Sequence, residues 1–153
     1  YEIHERLVGS EMCIRDRIYG PQRNALQRIR AGKVTSLAPA GGGGPVNRVH
    51  VADIVGILLA SMAKPTPQQL FNVADDLPAP TRDVTLYAAE LLGRVREMRE
   101  LPTINPPPEG AMGEGYRIVR NDKVKRVFGY EFRFPTYKEG LADIAKLLQK
   151  QHS

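Results

Sequence analysis

The chain has 153 residues, of which 42% are hydrophobic and 25% are charged, and its formal net charge is +5. This length allows one domain, or one half of a larger α/β domain. No apolar run approaches the roughly 20 residues of a membrane-spanning helix. Because Cys13 is the only cysteine, disulfide frameworks and multi-cysteine zinc sites are excluded. We expect a soluble protein without a metal site, cytoplasmic or organellar, whose targeting region is not in this chain.

The positive charge is spread along the chain, which makes nucleic acid an unlikely partner. The densest segment, residues 117–126, holds five basic residues against one aspartate: Arg117, Arg120, Lys123, Lys125 and Arg126. An anionic small ligand, or simple solubility, accounts for such a balance equally well. We therefore expect a small-molecule partner and no membrane contact.

Residues 1–17 do not match the rest of the chain. The peptide Val-Gly-Ser-Glu-Met-Cys-Ile-Arg-Asp-Arg at residues 8–17 resembles a translated sequencing-adapter sequence, and it places charges where a buried strand would lie. We assign residues 1–17 to a non-native or disordered leader, and residues 18–153 to the domain. Cys13 falls within the leader, so we assign it no chemistry.

The coherent part of the chain begins at Ile18. Residues 18–21 read as the end of a strand that enters a turn, and residues 24–31 read as a short helix that ends at Gly32. Residues 33–46 are predicted to be a loop because they contain four consecutive glycines. That run does not predict a phosphate-binding loop, since no Gly-Lys-Ser/Thr comes after it and the segment enters a strand.

Within residues 47–54, Val49 and Val51 alternate with Arg48, His50 and Ala52, as in a short strand. Arg48 and His50 lie on its polar side and are candidates to face a ligand. Asp53 is predicted to cap the next helix, and the apolar density of that helix predicts that it is buried.

The rest of the chain predicts two strands and three helices. Residues 70–74 and 132–134 are rich in β-formers and predict strands. Three helix starts are predicted. Thr81 caps the first helix, Asn121 or Asp122 caps the second, and Thr136 forms a capping box with Glu139 at the third. The first of these helices carries a clean amphipathic stripe of Val84, Tyr87, Ala88, Leu91 and Leu92. Between the first two, the proline- and glycine-rich residues 101–115 form a loop.

Five landmarks in this order carry a family resemblance. They are Tyr19-Gly20-Pro21, the Arg48-Val49-His50-Val51 strand with Asp53-Ile54, Phe71-Asn72-Val73-Ala74-Asp75-Asp76, Asn121-Asp122-Lys123-Val124-Lys125, and Phe134-Pro135-Thr136-Tyr137 with Gly140-Leu141. Together they resemble the C-terminal half of extended or atypical short-chain dehydrogenases/reductases, the NAD-dependent epimerase/dehydratase family. The resemblance covers about residues 18 to 149.

The resemblance implies an α/β fold: the C-terminal portion of a Rossmann-type doubly wound sheet with a small α/β substrate-binding lobe. It also implies an NAD or NADP cofactor. Tyr19, Gly20 and Pro21 would lie beside the nicotinamide, and Arg48 would contact a substrate phosphate. His50 and Arg120 are further candidates for substrate binding. A structural histidine and a solvated arginine remain open as alternatives for these two.

The chain also departs from the family pattern. It has no glycine-rich dinucleotide loop and no Tyr-x-x-x-Lys pair, and Ala52 stands where the family often has an aspartate. We therefore expect an incomplete enzyme with no catalytic residue of its own, and exposed apolar faces that make it poorly soluble. Three functions remain: part of an NAD(P)-dependent epimerase, dehydratase or reductase acting by hydride transfer; a non-catalytic dinucleotide-binding member of the fold; or an RNA-associated one.

Overall fold

The computed structural model describes residues 17–37, 44–103 and 118–150 as a mixed α/β fold. Its elements in chain order are β1 (Ile18–Tyr19), α1 (Ala25–Arg30), β2 (Val49–His50), α2 (Val51–Ala63), α3 (Thr81–Leu91), α4 (Val95–Arg99), α5 (Asp122–Phe128) and α6 (Tyr137–Lys150). The predicted leader up to residue 16, and residues 38–43 and 104–117 of the two predicted loops, lie outside the described residues. None of the described helices is long and apolar enough to cross a membrane.

The two strands form a small parallel sheet in which Ile18 pairs with Val49 and Tyr19 with His50. The other side of β2 is met by the segment that precedes α3. There the Asp75 N–H donates to the Arg48 carbonyl at 2.6 Å, and Val46 forms an antiparallel bridge with Ala79. This segment therefore covers the outer edge of β2.

The core lies where α1, α3 and α6 pack together. Its most buried side chains are Leu26 and Ile29 of α1, Val84, Ala88 and Ala89 of α3, and Leu141, Ile144 and Ala145 of α6. The stripe predicted for α3 supplies Val84 and Ala88 of this core, so the periodicity of that helix is confirmed. One predicted cap is confirmed as well, because Glu139 accepts from Thr136 N at 3.0 Å. The structure adds a cap that was not predicted, since the Asn24 side chain accepts from Gln27 N at 2.9 Å.

Both predicted strands outside this sheet are wrong. Residues 70–74 form an irregular segment; Leu70 is 91% exposed, while Phe71 stacks on Phe128 with ring centroids 4.8 Å apart. Residues 132–134 are also irregular, because the backbone N–H groups of Arg133 and Phe134 donate to the Asp53 carboxylate instead of to a neighbouring strand. Distant side chains thus bond to both segments: Asp53 accepts from residues 133 and 134, and Lys123 and Asn121 donate to the carbonyls of Leu70 and Ala74.

Helix α2 differs from its prediction at its start and in its burial. It begins at Val51, and its cap is His50, whose Nδ1 accepts from Ala52 N at 3.1 Å. Asp53 is therefore inside the first turn and not at the cap. The predicted burial is also wrong, because only Asp53 and Ile57 of its 13 residues are buried.

Gly140 sits where α6 meets the sheet, and a methyl group at this position would lie 2.7 Å from the Cε2 and Cζ atoms of the Tyr19 ring. An alanine inside a helix normally stabilises it by about 1 kcal/mol relative to glycine. We expect Gly140→Ala to destabilise the protein instead, by about 1–3 kcal/mol, because the buried Tyr19 ring has to move. Urea denaturation measures the difference.

The control is the same substitution in a Tyr19→Leu background, which removes the ring atoms that the methyl group would meet. We expect the cost of Gly140→Ala to fall by at least half there. An equal cost in both backgrounds would show that the ring contact is not its cause.

Candidate functional site

A cavity of about 180 Å³ opens between the sheet and helices α1, α3 and α6. Three arginines line it, Arg23, Arg28 and Arg48, and no carboxylate of residues 17–37, 44–103 or 118–150 does. The other lining residues that carry polar groups are Tyr19, Asn24, Thr81, Thr85 and Tyr137. A concave site with this charge suits an anion, and its volume suits one end of a ligand more than a whole nucleotide.

Arg48 is buried in the wall of this cavity, with 8% of its surface exposed. Its guanidinium donates to the carbonyls of Val46 and Ala79, at 3.0 and 2.7 Å, and to Thr81 Oγ1 at 3.1 Å. These bonds use three of the five guanidinium N–H groups. Arg48 therefore holds the start of α3 in place, and its contact with a ligand stays a prediction.

Thr81 has a different role from the predicted one. It is the first residue of α3 and makes no cap bond, since Pro80 stands at the cap position. Its hydroxyl accepts from Arg48 instead. The Thr81 side chain thus orients the guanidinium.

Asp75 lies beside Arg48 with 2% of its surface exposed. Its Oδ1 accepts from the Arg48 backbone N–H at 3.0 Å, and its buried Oδ2 has no partner among the described residues. Burial raises the pKa of Asp75 to about 6, although Arg48 opposes the shift. Burial likewise lowers the pKa of Arg48, and Asp75 partly offsets that shift.

Tyr19 brings the sheet and α6 together at the floor of the cavity. Its hydroxyl donates to the Thr136 carbonyl at 3.4 Å, and its ring meets that of His50 edge-on, with centroids 5.1 Å apart. Burial, and then the charge of Asp75, raises the pKa of the Tyr19 phenol above its ordinary value. The phenol is therefore neutral at physiological pH.

Tyr19, Gly20 and Pro21, predicted beside a nicotinamide, lie together in a second, open cleft of about 510 Å³. Its walls are mostly apolar, and Val51 closes one side. A Cβ at position 20 would lie 2.6 Å from Val51 Cγ1, so only glycine lets the turn approach α2 this closely. The structure thus brings these three residues together, and their role stays a prediction.

His50 and Arg120 lie outside the arginine cavity. His50 is 4% exposed, its Nε2 has no partner among the described residues, and its ring stacks on Phe134 at 4.2 Å. Burial lowers the pKa of His50, although Asp53 opposes the shift, so the imidazole is neutral and caps α2. Arg120 is exposed and pairs with Asp122 at 2.7 Å, and it does not reach the cavity. Substrate contact by either residue stays a prediction.

Asp53 is fully buried and anchors the connection between α5 and α6. Its Oδ1 accepts from the Tyr130 hydroxyl at 3.1 Å and from Arg133 N at 2.7 Å, and its Oδ2 accepts from Phe134 N at 3.0 Å. The local sequence around Asp53 does not predict these partners, which lie about 80 residues further along the chain.

Arg23 and Arg28 were not predicted from the sequence to be part of the site. Helical spacing offers one signal for Arg28, because it lies four residues after the Asn24 cap and so shares its face of α1. Arg23 has no comparable signal, since it lies in the turn between β1 and α1. Within the described ranges, no group of three or more histidine, cysteine or carboxylate side chains is placed to hold a metal ion.

Comparisons with solved structures place this arrangement in a known fold, whereas no family model and no curated protein matches the chain. A conserved protein of unknown function from Silicibacter pomeroyi is 33% identical, with a TM-score of 0.68 over 86% of this chain and 46% of its own. dTDP-glucose 4,6-dehydratase from Bacillus anthracis, in complex with NAD, is 17% identical, with a TM-score of 0.65 over 87% of this chain and 42% of its own. UDP-glucose 4-epimerase from Thermotoga maritima, with UDP-glucose, is 20% identical, with a TM-score of 0.64 over 89% of this chain and 44% of its own.

These likenesses confirm the predicted fold class. The chain matches the C-terminal part of Rossmann-like epimerase and dehydratase structures. It spans less than half the length of each of the three structures.

Asp53→Asn tests the anchoring of the α5–α6 connection. Asparagine keeps the shape of the side chain but turns an NH2 group toward a backbone or phenol donor, so one buried donor loses its acceptor. We expect the free energy of unfolding to fall by about 2–3 kcal/mol, measured by urea denaturation. The matched control is Asp122→Asn, which breaks only the exposed pair with Arg120 and should cost less than about 0.5 kcal/mol. Equal effects of the two substitutions would contradict the anchoring role.

Asp75→Asn tests the raised pKa of Asp75. A carboxyl with a pKa of about 6 in the folded protein and about 3.9 in the unfolded chain binds more protons when folded. Its contribution to stability is therefore fully present below about pH 4 and is lost as the pH rises through 6. Relative to Asp75→Asn, the unsubstituted protein should lose up to about 3 kcal/mol between pH 4 and pH 7.5.

Urea denaturation at several pH values measures this slope. Asp76→Asn is the control with the opposite sign, because hydrogen bonds from Asn121 and Lys125 outweigh burial and lower the pKa of Asp76. A difference between the protein and Asp75→Asn that does not change with pH would contradict the raised pKa.

Proposed function

We propose that this chain forms the substrate-side part of an NAD(P)-dependent oxidoreductase of the epimerase/dehydratase kind. In this proposal, the arginine cavity binds the anionic end of a small, phosphate-bearing or sugar-nucleotide-like substrate. The observation that carries the proposal is the convergence of Arg23, Arg28 and Arg48 on one cavity that no described carboxylate lines. Guanidinium groups match phosphate oxygens in geometry as well as in charge.

The solved structures of similar fold support this interpretation. The dehydratase was determined with NAD, the epimerase with UDP-glucose, and the Bordetella bronchiseptica enzyme WbmF with NAD+ and UDP. Each of these ligands carries a diphosphate. The cavity of this chain, at about 180 Å³, has room for phosphate oxygens between the arginines, while the rest of such a ligand would extend beyond it.

The chain fits only one end of the cofactor. The apolar cleft at Tyr19, Gly20 and Pro21 suits the face of a nicotinamide ring. A dinucleotide also needs a helix N-terminus with a glycine-rich loop for its pyrophosphate, and the sequence contains no such motif. When bound, NAD(P) supplies hydride transfer. The residues of this chain hold the substrate anion and border the nicotinamide, and none of them is assigned a catalytic role.

Arg28 is the best residue for testing anion binding, because it is exposed and its loss leaves the wall of the cavity intact. We expect Arg28→Ala to weaken the binding of inorganic pyrophosphate and of UDP about tenfold, the equivalent of roughly 1.4 kcal/mol. Isothermal titration calorimetry on the full chain measures both ligands. NAD+ should give no thermal shift, since the pyrophosphate loop is missing.

The matched control is Arg30→Ala, which removes the same charge from the same helix at a position that does not line the cavity. It should change either affinity less than twofold. Equal losses from the two substitutions, or no pyrophosphate binding by the unsubstituted chain, would contradict the proposal.

A further inference from the structure

Asp75 is a buried acid behind the wall of the arginine cavity. Its Oδ1 accepts from the Arg48 N–H at 3.0 Å, and its own N–H donates to the Arg48 carbonyl at 2.6 Å. Asp75 is thus fixed to the residue whose guanidinium lines the cavity. Its Oδ2 is buried and has no hydrogen-bond partner among the described residues. Keeping such a carboxyl ionised is costly, because burial removes the hydration of the unpartnered oxygen.

The charge of Asp75 is offset by Arg48, which favours the ionised form of the carboxyl. The neighbouring Asp76 acts in the opposite sense. The Asp76 carboxylate has a cation of its own, since it pairs with Lys125 at 2.6 Å. The ionised state of Asp75 therefore depends on a guanidinium that also faces the cavity.

Two tyrosines connect Asp75 with the cavity electrostatically. Tyr19 of β1 and Tyr137 of α6 both line the cavity. Burial raises the pKa of each phenol, and the charge of Asp75 adds to both shifts. From α3, the Asp83 carboxylate also acts on Tyr137. Both phenols are neutral at physiological pH, so a charge in the cavity and the charge of Asp75 act on each other mainly through Arg48.

An anion in the arginine cavity would compete with Asp75 for this cation. Arg48 is buried, and two negative charges near one guanidinium repel each other strongly where little water screens them. Protonation of Asp75 removes that repulsion. Burial already raises the pKa of Asp75 to about 6. A further rise on anion binding therefore brings proton uptake into the neutral pH range.

We propose that the arginine cavity binds an anion together with a proton, and that Asp75 takes the proton on Oδ2. This inference rests on the proposed function, because it needs an anion in that cavity. The proton comes from the solvent, and the O–H bond of Asp75 is the only bond that forms. Asp75 is a positioning residue, which acts on the ligand through Arg48 and sets the pH range in which the site fills. A fully ionised anion binds more tightly in mildly acidic than in mildly alkaline solution.

Sulfate is the probe, because it stays doubly charged across this pH range, whereas phosphate and pyrophosphate themselves titrate near neutral pH. Isothermal titration calorimetry on the full 153-residue chain measures its affinity at constant ionic strength. We expect the affinity to fall about tenfold between about pH 5 and pH 8, as a rise of about one unit in the pKa of Asp75 on binding requires. The sign follows from linkage, since a group whose pKa rises on binding favours the bound state at low pH and loses this effect as the pH rises.

Proton uptake is measured on the unsubstituted chain, without any variant. The sulfate titration is repeated near pH 6.5 in two buffers with different enthalpies of ionisation. The two heats should differ by the ionisation of about half a proton per sulfate bound.

Asp75→Asn keeps an acceptor for the Arg48 N–H and removes the titrating group. Its affinity for sulfate should change less than about twofold over the same pH range. The matched control is Asp76→Asn, which removes one negative charge from the adjacent position. It should keep the tenfold dependence on pH.

Two results would overturn the coupling alone. The first is an affinity for sulfate that does not change with pH in the unsubstituted chain, and the second is an equal pH dependence in Asp75→Asn. In both cases sulfate still binds and Arg28→Ala still weakens it, so the proposed function stands. A chain that does not bind sulfate even at about pH 5 would contradict the coupling and the proposed function together.

Discussion

The buried carboxylate of Asp53 is the interaction on which the rest of the described structure depends. It accepts hydrogen bonds from one phenol and two backbone N–H groups in the connection between α5 and α6. These bonds fix that connection against the first turn of α2. The adjoining residues are positioned as a result: the Phe134 ring covers His50, the Pro135 carbonyl accepts from Asp76 N, and the Thr136 carbonyl accepts from Tyr19. Because a buried acceptor with three donors has one geometry, it specifies the position of this segment more narrowly than apolar packing would.

Arg48 shows how one side chain serves the fold and the site together. Its bonds to two carbonyls and a hydroxyl fix the guanidinium in the wall of the cavity, where desolvation makes an unpaired charge costly. A lysine could not replace it, because an ammonium lacks the planar set of donors that spans Ala79, Thr81 and the cavity at once. The same bonds fix the orientation of the guanidinium, which would favour the binding of the anion proposed above.

The sequence predicted the features that depend on local periodicity and missed those that depend on distant partners. Local patterns were sufficient to place α1, α3 and α6, and the bond from Thr136 N to Glu139 was predictable from the capping box. The strands expected at residues 70–74 and 132–134 were wrong, because β-propensity reports a fit to a sheet that these segments do not join. The roles of Asp53 and Thr81 were also missed, since their partners lie 33 or more residues away.

Helix α2 was predicted to be buried because its sequence is strongly apolar, and this prediction was wrong. Apolar side chains of α2 lie on all sides of the helix, a pattern typical of full burial. Yet Asp53 and Ile57 are the only residues of α2 that this chain buries. The helix is held by its polar anchor and by the close contact of Gly56 with Tyr130, and not by an apolar inner face. Its outer aliphatic side chains therefore contribute little to the packing that is present.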